Sequence, residues 1–274
     1  MPDNRPIGVF DSGIGGMTVV KSIVENMPGE HIIYFGDTAR VPYGTKSKRQ
    51  ITEFALSDVK FLNAFDVKAV VIACNTADST AREAIEEAFP DLPVFGVVDP
   101  ASRMAAETTV NGKIGVIATN ATVSTGAYER VITAYNPEAT VFMKACPLLV
   151  PLVENGRIRT GDPVIETVLK EYLDPLVEEG IDTLVLGCTH YPLLFDTIEY
   201  LYPELRIISS SDAAAAKVLG DLIRKDACSE NTEAAGSERK YFVSDDAAGV
   251  DKLARVFMGE DLGGTFEQVN IESY

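Results

Sequence analysis

Val67-Lys-Ala-Val-Val-Ile-Ala-Cys-Asn-Thr76 decides the fold, because the chain says nearly the same thing again at Ile181-Asp-Thr-Leu-Val-Leu-Gly-Cys-Thr-His190. Each is a run of β-branched and aliphatic residues that ends in a small residue, a cysteine and then polar side chains. Continuous apolar runs of this length, closed by turn and cap residues, read as strands buried on both faces of a parallel sheet. Asn75 and Thr76 in the first stretch, and Thr189 in the second, read as helix starts. A cysteine at the carboxyl end of such a strand lies where open α/β sheets bind ligands. Two of them, Cys74 and Cys188, imply a two-sided site made by two similar halves.

Working outward, the repeat extends beyond the cysteines. Lys113-Ile-Gly-Val-Ile117 matches Pro6-Ile-Gly-Val-Phe10, and Ala118-Thr119-Asn120 stands where Asp11-Ser12-Gly13 stands in the first half. Thr140-Val-Phe-Met143 answers the strand at Ile32-Ile-Tyr-Phe35, and Tyr202-Pro-Glu-Leu-Arg-Ile-Ile208 answers Phe89-Pro-Asp-Leu-Pro-Val-Phe95. Helices are expected over 17–25, 48–65, 77–89 and 163–179, and an alanine-rich one follows Asp212 to about 225. Four strand pairs in one order make an internal repeat whose period is far too long for a solenoid. The expected fold class is α/β, with two pseudo-symmetric doubly wound domains of mostly parallel sheets and the site between them. The first domain takes residues 1–98 and 209–274 and carries Cys74; the second takes 99–208 and carries Cys188, with Asp99-Pro100 at the crossing. The polar stretch 226–239 reads as a mobile loop, and a strand over 240–244 and a helix over 251–258 return the tail to the first domain.

Composition narrows the function. A chain of 274 residues that is 46% hydrophobic can bury a large core in two domains. A net charge of −17 argues against nucleic acid or an anionic membrane surface as partner. The longest apolar runs are strand-sized, and the opening Met-Pro-Asp-Asn-Arg-Pro lacks the apolar core of a signal peptide. The cytoplasm is the expected compartment, where the four cysteines would be reduced. With no CxxC pair and only His31 and His190 available, neither a thiol relay nor a histidine-rich metal site is expected.

The chemistry then rests on few residues. A single buried cysteine is usually a small hydrophobe, and Cys146, inside an apolar run, fits that description. Cys228 lies in the polar stretch and fits no role. Cys74 and Cys188 differ in being matched, at strand ends and followed by caps; a helix N-terminus there would favour the thiolate. Asp11-Ser-Gly-Ile-Gly-Gly16 lacks both the GxGxxG spacing and a Walker lysine, so its glycines suit the approach of a ligand carboxylate to backbone N–H groups better than a nucleotide. Asp11 and Ser12 would then face the same crevice as Cys74. His190, two residues past Cys188, is spaced to exchange protons with it, whereas Glu154, at the end of an apolar run, reads on its own as a solvated side chain.

At these residues the chain resembles glutamate racemase. The likeness is carried by Asp11-Ser-Gly-Ile-Gly-Gly16, Tyr34-Phe-Gly-Asp-Thr-Ala-Arg-Val-Pro-Tyr-Gly44, Ala73-Cys-Asn-Thr-Ala77, Gly187-Cys-Thr-His-Tyr-Pro-Leu-Leu194 and the run Pro147 to Glu154. The resemblance implies a cofactor-independent isomerase that supplies D-glutamate for peptidoglycan. It makes Cys74 and Cys188 the two acid/base groups, sets Asp11, His190 and Glu154 beside them as catalytic, and assigns Asp11, Ser12, Tyr43, Gly44, Asn75, Thr76, Thr189 and His190 to the substrate. No metal or other cofactor is implied. The expected partners are glutamate and at most a second copy of the chain in a homodimer. Asp78 departs from the small or hydroxyl residue usual there and would oppose a Cys74 thiolate, and Val98-Asp-Pro-Ala101 lacks a glycine often found after the proline. Among the motif residues Arg40 is the only cation, so substrate carboxylates are expected to be held chiefly by dipoles. A racemase for aspartate or another amino acid, and a two-lobed small-molecule binding protein, are the alternative readings.

Overall fold

The computed structural model describes residues 2–229, 237–259 and 263–274. Residues 230–236, within the polar stretch expected to be mobile, lie outside the described residues. The apolar runs form two all-parallel sheets. In the first, strands β1 (Ile7–Asp11), β2 (Ile32–Gly36), β3 (Ala69–Ile72) and β4 (Val94–Gly96) stand in the order β2-β1-β3-β4. In the second, β5 (Lys113–Ala118), β6 (Thr140–Ala145), β7 (Thr183–Gly187) and β8 (Arg206–Ser209) stand as β6-β5-β7-β8. The two orders are the same, so the strands matched in sequence are matched in space. Ile7 pairs with both Ile32 and Ala69, and Ile114 with both Val141 and Thr183, which puts each central strand between two parallel neighbours.

Every residue of β1, β2, β3 and β7 is buried, as continuous apolar runs require when helices cover both faces. Alternation still sorts the side chains. Val9, Tyr34 and Val71 enter one core, while Phe10, Phe35 and Ile72 enter another on the opposite face. The first core runs without a break into the second sheet through Val116 and Val185. Burial of one such side chain contributes about 1.5–3 kcal/mol, so a core shared by both sheets fixes them against each other. The helix Ser210–Arg224 reinforces this. Its buried Ala213, Ala214 and Ala215 let it lie close between the helices Met17–Asn26 and Val98–Thr108.

The tail does return to the first sheet, and it adds two strands. β9 (Arg239–Val243) pairs with β2 through Ile33 and Lys240, and β10 (Phe266–Gln268) lies outside it. β10 is absent from the sequence reading, as are the helices Asn120–Thr125, Ala127–Tyr135 and Phe195–Leu201. At the expected crossing the chain does not turn loosely: Val98–Thr108 is a helix, and Pro100 sits in its first turn, where a missing N–H is tolerated. Among the described residues no helix is long and apolar enough to cross a membrane.

A buried ion pair links the segments that lead into β2 and β3. Lys68 Nζ donates to Glu30 Oε2 at 2.5 Å, to the carbonyl of Asp3 at 2.7 Å and to that of Ala227 at 3.0 Å. Glu30 Oε1 accepts the Ser229 N–H at 2.7 Å. Removing the cation strands a buried carboxylate, so Lys68→Met is expected to lower stability by about 3–5 kcal/mol in urea unfolding. A loss under about 1 kcal/mol would mean the pair is solvated in solution.

Candidate active site

Cys74 stands two residues past β3 and caps the helix Asn75–Ala88. Its Sγ accepts the Ala77 N–H at 3.5 Å and donates to Ser12 Oγ at the same distance. The strand-end rule therefore brings the first motif and the Asp11–Gly16 loop together. The expected ionisation does not follow. Burial, then the nearby Asp11 carboxylate, push the Cys74 thiol up to about 12, more than its capping contacts lower it. Asp11 is itself buried, and burial raises its carboxyl, with His190 and the N–H groups of Gly16 and Gly13 acting against the rise. Asp11 Oδ2 accepts from Gly13 and Gly16 at 3.1 Å, whereas Oδ1 is buried with no hydrogen-bond partner among the described residues.

The second motif differs from the first in its local structure. After β7 the chain turns through Cys188-Thr189-His190 into a short 3-10 helix, Tyr191–Leu194, with Pro192 near its start. No α-helix begins at Thr189, so Cys188 lacks the helix N-terminus that sequence suggested for both thiols. A histidine supplies the positive charge instead. His190 Nδ1 lies 3.9 Å from Cys188 Sγ, and its Nε2 lies 3.1 Å from Glu154 Oε1. Burial disfavours the imidazolium, but the contacts with Cys188 and Glu154 outweigh it and raise His190 to about 10. Glu154, at the end of the helix Leu149–Glu154, is both half-solvated and a partner of His190. The Phe257 ring packs nearly perpendicular to the imidazole, with the ring centroids 5.1 Å apart.

The two motifs meet at a glycine. A Cβ on Gly15 would come within 2.4 Å of Thr189 Oγ1 and 2.5 Å of His190 Nδ1, so only a bare Cα lets the loop pass. Thr18 Oγ1 reinforces the junction with bonds to the Thr189 carbonyl at 3.1 Å and to Ser211 Oγ at 2.8 Å. Hydroxyls cluster on the other side. Thr76 Oγ1 lies 3.0 Å from Thr119 Oγ1 and 3.3 Å from Thr122 Oγ1. Thr119 and Thr122 are not among the site residues chosen from sequence. The strand-end rule applied to β5, whose last residue is Ala118, would have found Thr119, since it answers Ser12 in the repeat.

Several named residues have other engagements. The Asn75 amide donates to Ser210 Oγ at 3.3 Å and accepts the Tyr128 hydroxyl at 2.5 Å. The Tyr43 phenol is buried against Asp37 and Asp58, so only the backbone of the Tyr43–Gly44 turn faces the second half, where Gly44 abuts the Thr119 side chain. Arg40 is spent on the same two acids, at 2.6 Å and 2.8 Å. Asp78 does not confront Cys74. Its Oδ2 accepts the N–H groups of Val97 and Val98 at 2.8 Å and 2.7 Å, anchoring the start of the helix at the crossing, and Arg82 lies 3.6 Å from Oδ1. Cys146 is core: its carbonyl accepts the Tyr191 hydroxyl at 3.1 Å, and burial pushes its thiol up to about 12. Cys228 packs against the main core and lends its carbonyl to Asp3, and His31 accepts the Glu238 N–H.

Comparison with known proteins finds relatives over nearly the whole chain. Residues 7–218 match the family model for Asp/Glu/hydantoin racemases. The glutamate racemase of Persephonella marina is 47% identical over 257 residues, 93% of this chain and 94% of its own length. That of Geobacter metallireducens is 43% identical over 98% of each. Among solved structures, glutamate racemase from Francisella tularensis in complex with D-glutamate superposes with a TM-score of 0.91 at 36% identity, over 99% of this chain and 100% of that one. Glutamate racemase from Thermus thermophilus in complex with β-chloro-D-alanine gives 0.88 at 38% identity, over the full length of both.

Two outcomes follow from the junction. Gly15→Ala overpacks it and is expected to lower stability by about 1–3 kcal/mol in urea unfolding; an unchanged midpoint would mean the loop has room to spare. His190 titrates higher folded than unfolded, so its stabilisation is whole below about pH 6.5 and fades as pH rises through about 10. The melting-temperature gap between the parent and His190→Asn should therefore narrow steadily over that window. A constant gap would deny the imidazolium its partners.

Proposed function

This chain belongs to the Asp/Glu/hydantoin racemase family, and on that premise we propose that it is a glutamate racemase. It interconverts L- and D-glutamate by proton transfer at Cα and supplies the D-enantiomer for peptidoglycan from the cytoplasm. The observation that carries the reading is the junction at Gly15, where the loop that contacts Cys74 through Ser12 packs onto Thr189 and His190, beside Cys188. The two units we assign, 1–98 with 209–274 and 99–208, each lend one thiol.

Inverting an α-carbon without a cofactor needs a base on one face and an acid on the other. Cys74 serves one face and Cys188 the other, with the thiol and thiolate roles exchanged between directions. The partnerless Asp11 Oδ1 is an acceptor for the substrate ammonium. That pairing also eases the charge problem at Cys74, where burial and then Asp11 hold the thiol up, since an ammonium seated on Asp11 offsets the second of these. On the second face the imidazolium of His190, steadied by Glu154, keeps Cys188 supplied with a counter-charge and a proton. Ser12, Thr76, Thr119, Thr122 and the turn at Gly44 offer hydroxyl and N–H dipoles to the substrate carboxylates and the developing carbanion.

Circular dichroism of L- and D-glutamate, with aspartate in parallel, separates this reading from an aspartate racemase and from a binding protein. The face assignment has its own test. Cys74→Ser and Cys188→Ser should each lower racemisation by about 10²–10⁴-fold, because a serine hydroxyl cannot replace a thiolate base. Each variant keeps one thiolate, and β-chloroalanine needs only one: removal of the α-proton expels chloride, and the enamine hydrolyses to pyruvate and ammonia. Cys74→Ser should still form pyruvate from the L-analogue and Cys188→Ser from the D-analogue. Equal turnover of both enantiomers by either variant would overturn one cysteine per face.

A further inference from the structure

Beneath the Tyr43–Gly44 turn lies a buried cluster whose hydrogens can be counted. Two carboxylic side chains, Asp37 and Asp58, share one guanidinium and one phenol and have no measurable exposure. Arg40 Nε donates to Asp37 Oδ2 at 2.6 Å, and Arg40 Nη2 donates to Asp58 Oδ1 at 2.8 Å. The Tyr43 hydroxyl touches Asp37 Oδ2 and, at 2.9 Å, Asp58 Oδ2. A phenol has one hydrogen. It can serve one of these acceptors, and the other oxygen pair needs a hydrogen of its own, because two bare acceptors at that distance repel.

The surroundings say which acid carries it. Asp37 receives three side-chain donors: Arg40, Tyr43 and, on Oδ1, the Ser244 hydroxyl at 2.8 Å. Asp58 receives only Arg40 as an unambiguous donor. The donor-rich carboxylate keeps its charge and the donor-poor one keeps the proton. Charge gives the same answer. Arg40 balances one anion, and a second would be buried uncompensated. Burial, followed by the neighbouring Asp37, accordingly pushes the Asp58 carboxyl well above the usual range.

We infer that Asp58 is a protonated carboxylic acid in the working protein, and a positioning residue whose O–H fixes Tyr43 and, through it, the Tyr43–Gly44 turn. The turn bears directly on the site. A Cβ on Gly44 would lie 3.0 Å from Thr119 Cβ, so the turn rests on the residue whose hydroxyl meets Thr76 and Thr122. Asp58 thus reaches the hydroxyl cluster from the helix Lys48–Asn63 without touching substrate. The Asp37 N–H, bonded to the Asp11 carbonyl at 3.0 Å, ties the same cluster to the end of β1.

The effect on catalysis rests on the racemase reading; the protonation state does not. An asparagine at 58 presents an N–H where the acid presents its O–H and an oxygen where Arg40 needs one. Asp58→Asn should therefore keep kcat/KM for glutamate within about threefold of the parent, whereas Asp58→Ala should lose about tenfold or more, more through KM than kcat. Asp37→Asn should fall as far as Asp58→Ala, since an ionised acceptor cannot be exchanged for an amide facing three donors. Infrared difference spectroscopy between the parent and Asp58→Asn should show the carbonyl band of a protonated carboxylic acid at neutral pH, present only in the parent. Loss of activity in Asp58→Asn equal to that in Asp58→Ala, or absence of the band, overturns the inference. A parent that racemises no glutamate would refute the racemase reading alone, and the band would still decide Asp58.

Discussion

The structure depends on one close approach. Two parallel sheets of the same strand order can share a site only if their carboxyl ends face each other, and here the facing is set by a loop with no side chain at its contact point. Gly15 passes within van der Waals limits of Thr189 and His190. Around it, Thr18 bonds the Thr189 carbonyl and the Ser211 hydroxyl, and Asn75 bonds Ser210. The helix that starts at Ser210 is thus the third party to the junction, held by polar contacts at its N-terminus and by three alanines along its buried face. The core common to both sheets supplies the bulk of the adhesion, and the polar contacts choose the register in which it is realised.

Much of the fold was legible because parallel strands buried on both faces leave an unusually plain mark. Ala69–Ile72 and Thr183–Gly187 have no polar face to blur them, and their repetition carried the topology. The omissions have physical causes. Asn120–Thr125 and Ala127–Tyr135 are short, rich in threonine and small residues, and joined by Gly126 in the left-handed region, so their periodicity is broken in the middle. β10 is three residues long and exists only because β9 offers an edge. No local pattern encodes a strand whose partner comes from elsewhere in the chain.

The site was legible as residues and illegible as charge. Position at strand ends is a topological property that sequence carries, and it brought Cys74, Ser12 and Asp11 together as expected. Ionisation depends on what is nearby in space and how deeply it is buried. The helix N-terminus at Cys74 lowers its thiol, yet burial and Asp11 raise it by more. At Cys188 the helix itself is missing, and a 3-10 turn over Tyr191–Leu194 stands in its place. Sequence sets Asp78 against the thiol four residues before it, whereas its partners are the N–H groups of Val97 and Val98, some twenty residues ahead. A carboxylate in a first turn can serve its own helix or the next one, and only packing decides.

These corrections bear on how a site in an acidic protein can hold an acidic ligand. The chain carries 41 acidic side chains against 24 basic ones, and the guanidinium within the motifs, Arg40, is consumed by Asp37 and Asp58. A free cation over the substrate would bind ground state and carbanion alike, and would also draw the thiolates away from Cα. Neutral donors avoid both effects: hydroxyls and backbone N–H groups strengthen as charge develops in a dry cleft, where a small displacement of a dipole changes much. The imidazolium favoured at His190 lies beside Cys188 and Glu154. On the proposed mechanism, positive charge is therefore spent where a proton moves, and dipoles do the holding. On the proposed mechanism, that division would let two thiols share a proton across one carbon, because the field that favours a thiolate is local to its own face.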